Sequence, residues 1–187
     1  MSVIINQYDN AIVSPMADSS SDALFVSWLR EKGIEGKTIF HWGSGQDHVV
    51  ERDNYERGNP NEIISVVGSR EEHDFYIEFI TDFPGAATHY KVMFADIYTL
   101  SARMLPSFDL VTLFHLCQSP ERKPSAHAPL TDKTLLVLFL SRLNPEGRLL
   151  FSKHTADSQR LPGEFIRQRR MAVDEESESL LVCRRTW

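Results

Sequence analysis

Cysteine is nearly missing from this chain: Cys117 and Cys183 are the only two in 187 residues. Both fall inside apolar stretches, so they read as buried thiols of a reducing compartment, not as a disulfide staple or a metal cluster. Long hydrophobic runs are missing too. Nowhere do eighteen apolar residues stand together, and the opening MSVIINQYDNAIVSPM has neither a basic start nor an extended apolar stretch. The expectation is a soluble, cytoplasmic protein without a membrane span or secretory leader. Basic residues are in short supply, 20 Lys and Arg against 26 Asp and Glu, for a formal charge of −6. A broad surface for nucleic acid or anionic membrane is therefore not expected, although a local groove stays open. There is no repeat, no low-complexity tract, no lysine-bearing phosphate loop and no Gly-x-Ser-x-Gly nucleophile turn. The seven histidines show no metal spacing: His41 and His48 are seven apart, and His115 and His127 are separated by the loop from Ser119 to Pro129. No metal site is expected.

What is present is an ordinary globular composition, 42% hydrophobic and 25% charged. The length suits a single domain over residues 1–187, with 1–37 as an N-terminal helical or lid segment. Leu24, Phe25, Trp28 and Leu29 recur at helical spacing behind the capping candidates Ser19 to Asp22. Thr38 to Trp42 then reads as a strand, Gly43-Ser44-Gly45 as a turn, and Asp47 to about Tyr55 as a helix. Ile63 to Val67, His89 to Phe94 and Phe108 to Phe114 read as further strands, with a helix from Glu71 to Thr81 between the first two. The run from 131 to 143 favours a buried helix closed by the turn Asn144-Pro145-Glu146-Gly147, before a short strand Arg148 to Phe151. A loop through His154 to Pro162, a helix Gly163 to about Arg169, a charged turn at Asp174 to Glu176 and a strand Ser179 to Cys183 complete the chain. Alternating strands and helices predict an α/β fold: a three-layer, Rossmann-like sandwich around a mostly parallel, seven-stranded sheet.

In such sheets ligands gather at the carboxyl ends of the strands. Four loops lie there: Gly43 to Asp47, Gly68 to Glu72, Asp96 to Ile97, and Phe114 to Gln118. Two glycines let a backbone approach a ligand without Cβ interference, although a bare Gly-x-Gly after an apolar run is by itself a common tight turn.

Taken in order, Thr38 to Gly45, Val66-Val67-Gly68, Asp96, Phe108 to Val111 and Leu143-Asn144-Pro145-Glu146-Gly147-Arg148-Leu149-Leu150 resemble the class I S-adenosylmethionine-dependent methyltransferase family. The last stretch is similar to that family's Leu-x-Pro-Gly-Gly-x-Leu-Leu pattern, with Glu146 in place of one glycine. The resemblance implies S-adenosylmethionine as cofactor. It implies that Gly43, Ser44, Gly45 and Gln46 cradle its methionine part and ribose, that Asp96 and Ile97 flank the adenine, that Glu71 serves the ribose, and that Phe114 belongs to the same set. The chemistry is apt, because Asp96 can accept a hydrogen bond from an amino group and Ile97 can pack on a ring.

Methyl transfer needs a nucleophile aligned with an electrophilic methyl, and sometimes a base. His115 after the fourth strand and His154 after the fifth are the candidate bases, although a packed or hydrogen-bonded histidine is the commoner role for each, His154 above all. Tyr8, Met16, Trp28 and Trp42 suit either an apolar pocket or a core, and the first 20 residues and the loop Gln118 to Pro129 suit a substrate lid. The small size favours a small-molecule methyl acceptor, with the chain a monomer or homodimer. Three departures point the other way: His41 stands where the family has an acid, Asp47 replaces a glycine, and Ser69-Arg70 occupy the usual place of a ribose-binding acid. They motivate the alternative of a non-catalytic, methyltransferase-like binding or regulatory protein. A dinucleotide-dependent oxidoreductase would need a fuller glycine fingerprint.

Overall fold

In the computed structural model, residues 21–117 and 128–187 are described. Tyr8, Met16, His127 and all but the end of the loop Gln118 to Pro129 lie outside them. The elements run α1 (Ser21–Glu31), β1 (Thr38–Trp42), α2 (Val49–Tyr55), β2 (Glu62–Val67), α3 (Arg70–Asp82), β3 (Tyr90–Phe94), β4 (Phe108–Thr112), α4 (Asp132–Ser141), β5 (Leu143–Ser152), α5 (Ala156–Arg167), β6 (Met171–Glu176) and β7 (Leu180–Arg185). Short 3₁₀ turns stand at Pro84–Thr88, Ile97–Thr99 and Ala102–Met104.

The seven strands form one sheet in the order β3-β2-β1-β4-β5-β7-β6. β1 through β5 pair in parallel, and β7 is antiparallel to both of its neighbours. The central position of β1 and β4 matches their patterning. Both are almost wholly buried because both sheet faces are covered. Their alternating residues divide between two cores: Phe40, Trp42 and Val111 face α4 and α5, while Ile39 and Leu110 face α1, α2 and α3. The strand order reverses between β1 and β4, the position at which sheets of this type place their ligands, at the carboxyl ends of the strands.

Several element boundaries differ from the sequence reading. The helix expected from Asp47 begins at Val49, because His48 takes a left-handed conformation (φ 45°) and ends the glycine turn. The segment read as a loop from His154 to Pro162 is helical from Ala156, with Thr155 and Ser158 forming a reciprocal cap and Pro162 inside the helix. The charged turn at Asp174 to Glu176 belongs to edge strand β6. The turn Asn144 to Gly147 lies within β5, which starts at Leu143 opposite Phe108 and shifts register before Leu110. Gly147 is required at that irregularity, since a Cβ there would stand 2.9 Å from the Phe108 carbonyl oxygen.

Candidate functional site

The glycine turn after β1 is built on left-handed backbone. Gly43 has φ 89° and Gly45 φ 61°, values that side chains rarely adopt. Gly43 is also tightly covered: a Cβ on it would lie 2.6 Å from the His115 ring. That ring comes from the turn after β4, so the absence of a side chain at Gly43 lets the β1 and β4 loops touch. Trp42 fixes the arrangement from below. Its indole meets His115 at 5.9 Å and Tyr98 at 6.3 Å between ring centroids, both nearly edge-on.

Ser44 is buried, and its hydroxyl turns inward. It donates to Ser65 Oγ (3.0 Å) on β2 and accepts from the Tyr90 hydroxyl (2.9 Å) at the start of β3. Its side chain therefore anchors the turn to two neighbouring strands and leaves the loop backbone for a ligand. Gln46 is exposed on the same turn. Nothing in the local pattern around Tyr90 singles out this role; a tyrosine at a strand start reads as core until the register is known.

Asp96 follows β3, and Ala95 N–H bonds the Val67 carbonyl (3.0 Å) to hold its loop beside β2. One Asp96 oxygen accepts from Tyr98 N–H (2.9 Å) and so caps the Ile97–Thr99 turn. The other, Oδ2, is buried and has no hydrogen-bond partner. Burial pushes the Asp96 carboxyl up from its ordinary range, as expected of an acceptor out of water and without a donor. Ile97 is buried beside it. The loop is braced by Asp132 at the start of α4, which accepts from the Tyr98 hydroxyl (2.6 Å) and from the Cys117 thiol (3.4 Å).

At the end of β2 the acid that matters locally is Glu72. Its carboxylate accepts from Gly68 N–H (3.1 Å) and Ser69 N–H (3.4 Å), while Ser69 Oγ accepts from Glu72 N–H (3.0 Å). This capping box explains why Ser69 stands there. Glu71 is exposed in the first turn of α3, and Arg70 faces solvent beside Asp74 (3.6 Å). Phe114 is buried against Phe25 of α1, edge-on at 5.9 Å, on the face of the sheet that α1 covers. His154 is exposed beyond β5, its backbone N–H directed to Ser152 Oγ (3.4 Å). The fold thus gathers Gly43, Trp42, Tyr98 and His115 into one contact group, with Asp96 on the neighbouring loop.

Beneath the glycine turn lies a buried group of titratable side chains that sequence reading does not reveal. His41 Nδ1 pairs with Thr112 Oγ1 (2.8 Å), and its Nε2 faces Asp22 of α1 at 3.6 Å. His48 Nδ1 stands 3.9 Å from Glu51, whose two carboxyl oxygens have no hydrogen-bond partner. Burial pushes Glu51 up to about 8, aided by Asp22, and raises Asp22 to about 7. Burial also drives His41 down to about 3 and His48 to about 4. Among the described residues no group of His, Cys, Asp and Glu is arranged to hold a metal ion, and no helix is long and apolar enough to cross a membrane.

No family model matches the chain, and no curated protein matches it by sequence. Solved structures do. The chain is similar to a precorrin-6y C5,15-methyltransferase from Geobacter metallireducens, with TM-score 0.60 and 14% identity over 96% of this chain and 91% of that one. It is similar to a ribosomal protein L11 methylase from Lactobacillus delbrueckii subsp. bulgaricus, with TM-score 0.57 and 12% identity over 89% and 77%. A coclaurine N-methyltransferase bound to N-methylheliamine and SAH gives TM-score 0.52 and 15% identity over 77% of this chain and 39% of that one. The chain has the class I methyltransferase fold.

Proposed function

We propose that the protein binds S-adenosylmethionine at the carboxyl edge of β1, β2 and β3 and transfers its methyl group to a small-molecule acceptor. The observation that carries the reading is the buried, unpartnered Oδ2 of Asp96 on the loop after β3, at the same edge of the sheet as a glycine turn in left-handed conformation. An acceptor desolvated without a donor is costly unless a ligand supplies one, and the adenine amino group is such a donor. Gly43, Ser44, Gly45 and Gln46 would hold the methionine part and ribose through the loop backbone, Ile97 would pack on the adenine, and Glu71 is the exposed acid nearest the end of β2. When bound, the sulfonium supplies an already activated methyl group, so the protein's own task is placement and proton handling.

His115 is the better placed candidate base, because its ring lies on the Gly43 backbone at the turn where the β1 and β4 loops meet. It would take the acceptor's proton from the side of that turn. His154 would assist from the exposed end of β5. The methylase and methyltransferases of this fold named above act on different acceptors, so the small-molecule class rests on the chain's size and not on the fold.

The non-catalytic alternative rests on two placements: His41 is neutral and buried where the family has an acid, and Glu72 is committed to the α3 cap. Calorimetric titration with S-adenosylhomocysteine tests the binding step. Micromolar binding is expected for the native chain, and Asp96→Asn should weaken it at least about tenfold, since its amide keeps an oxygen for the Tyr98 cap but turns a donor toward a donor. Methyl transfer that survives in the Asp96→Asn chain at full rate would contradict the assignment.

A further inference from the structure

The corner where α5 ends and β7 finishes carries several arginines on an otherwise acidic chain. Met171 at the start of β6 is the register partner of Arg185 near the end of β7, and Thr186 Oγ1 donates to the Arg169 carbonyl (2.6 Å). These pairings bring Arg169, Arg170, Arg185 and Trp187 together. Arg167, in the last turn of α5 where the helix dipole favours a cation, lays its guanidinium back along the helix against Gly163 and stands apart from this group. The dipole does not account for the others. Arg169 lies past the helix with φ 55°, exposed, and neither it nor Arg170 nor Arg185 has an ion pair among the described residues. The nearby acids are engaged elsewhere: Asp174 with Arg148 and Arg184, and Glu164 with Lys133 (2.8 Å) and Gln168 (2.9 Å).

Trp187 completes the patch. It is 59% exposed, and the Arg170 guanidinium lies 5.8 Å from its ring centroid and 5.0 Å from that of Phe165 below. Arg170 thus forms a cation–π bridge that holds an exposed indole over a buried phenyl ring. An indole held at the surface among unpaired, planar, bidentate donors fits a ligand with both flat rings and phosphates. β6 runs parallel to β5, so this corner lies at the amino edge of the sheet, opposite the glycine turn. It is separate from the proposed cofactor site and does not depend on that reading.

We infer that the corner formed by Arg169, Arg170, Arg185 and Trp187 is a docking site for single-stranded nucleic acid, with the arginines on phosphates and a base stacked on Trp187. An acidic protein segment would satisfy the guanidinium groups but gives the indole no planar partner. The negative charge of the rest of the chain confines binding to this patch and makes it sensitive to salt.

The test is fluorescence anisotropy of a short fluorescein-labelled oligouridylate titrated with the full chain at several salt concentrations. About three phosphate contacts predict a slope near −2 in log affinity against log salt. Arg169→Glu combined with Arg185→Glu should weaken binding about tenfold or more and flatten that slope. Trp187→Ala should weaken it roughly fivefold to a hundredfold with the slope kept, which a purely electrostatic contact would not show. Arg169 and Trp187 are exposed and Arg185 is half-buried, and thermal melting of each variant checks that the fold is retained. Absence of binding at low salt overturns the inference, as does binding unchanged by both sets of substitutions. Displacement by polyglutamate as readily as by unlabelled oligouridylate, with Trp187→Ala inert, also overturns it and assigns the corner to an acidic protein.

Discussion

Gly43 and Asp96 define the proposed site for different physical reasons, one steric and one electrostatic. Gly43→Ala places a Cβ on a residue at φ 89° and 2.6 Å from the His115 ring, so the substitution is strained in its backbone and displaces the ring. It should cost about 1–3 kcal/mol in thermal or denaturant unfolding and abolish S-adenosylhomocysteine binding. The buried acids and histidines make a second expectation. Glu51 and Asp22 have folded pKa values above those of free carboxyls, so the folded state holds their protons more tightly. The stability they contribute is complete below the ordinary carboxylate range and is lost as pH rises to about 8. His41 and His48 are depressed to about 3 and about 4, so their contribution is complete above the ordinary histidine range and is lost as pH falls toward those values. Melting temperature against pH should therefore peak between roughly 5 and 6.5, the window between the free carboxyl and histidine values, and Glu51→Gln should flatten the alkaline limb. At this scale the glycine turn is legible in the sequence, because it meets a requirement of the local chain, whereas Asp96 is singled out only by the family resemblance. The inward turn of Ser44, its partner Tyr90 and the pairing of Asp22 with His41 are not, since they depend on which strands and helices become neighbours.

Among the elements, α1 shows how a helix is committed to the fold. Phe25 and Leu29 are fully buried on the sheet face shared with α2 and α3, Phe25 packs edge-on against Phe114, and Arg30 pairs with Asp53 of α2 at 2.5 Å. Phe25→Ala should destabilise the protein by about 3–5 kcal/mol in urea unfolding, by lost burial and the cavity left behind. The apolar periodicity of Leu24, Phe25, Trp28 and Leu29 is enough by itself to announce this helix. β6 escapes a sequence reading for the opposite reason. It is an edge strand whose residues from Val173 to Glu176 are exposed, so Asp174, Glu175 and Glu176 carry no apolar alternation and instead protect the edge. Pro162 hides the first turns of α5, since its missing N–H removes one backbone bond and reads as a break, yet its ring is buried in the helix's apolar face. Asn144 to Gly147 hide the start of β5 in the same way, as a stretch that looks like a turn but passes through a strand irregularity.

For the whole molecule, the alternation of strands and helices implies a mostly parallel sheet of seven strands, and the observed order β3-β2-β1-β4-β5-β7-β6 places the four loops along one edge. Net charge says little about local surface: the chain carries −6 overall, yet one corner brings Arg169, Arg170 and Arg185 together with Trp187. Such a corner cannot be read from a linear sequence, because Arg169 and Arg185 become neighbours only when β6 and β7 pair. The central claim concerns place as well as affinity, and amide-resolved NMR during a titration with S-adenosylhomocysteine tests both at once. Resonances of Gly43 to Gln46, Gly68, Asp96 and Ile97 should shift together and saturate at one ligand per chain, with the arginine corner at the opposite edge of the sheet unmoved. A spectrum that stays unchanged to millimolar ligand, or shifts confined to residues away from the glycine turn and Asp96, would contradict the claim.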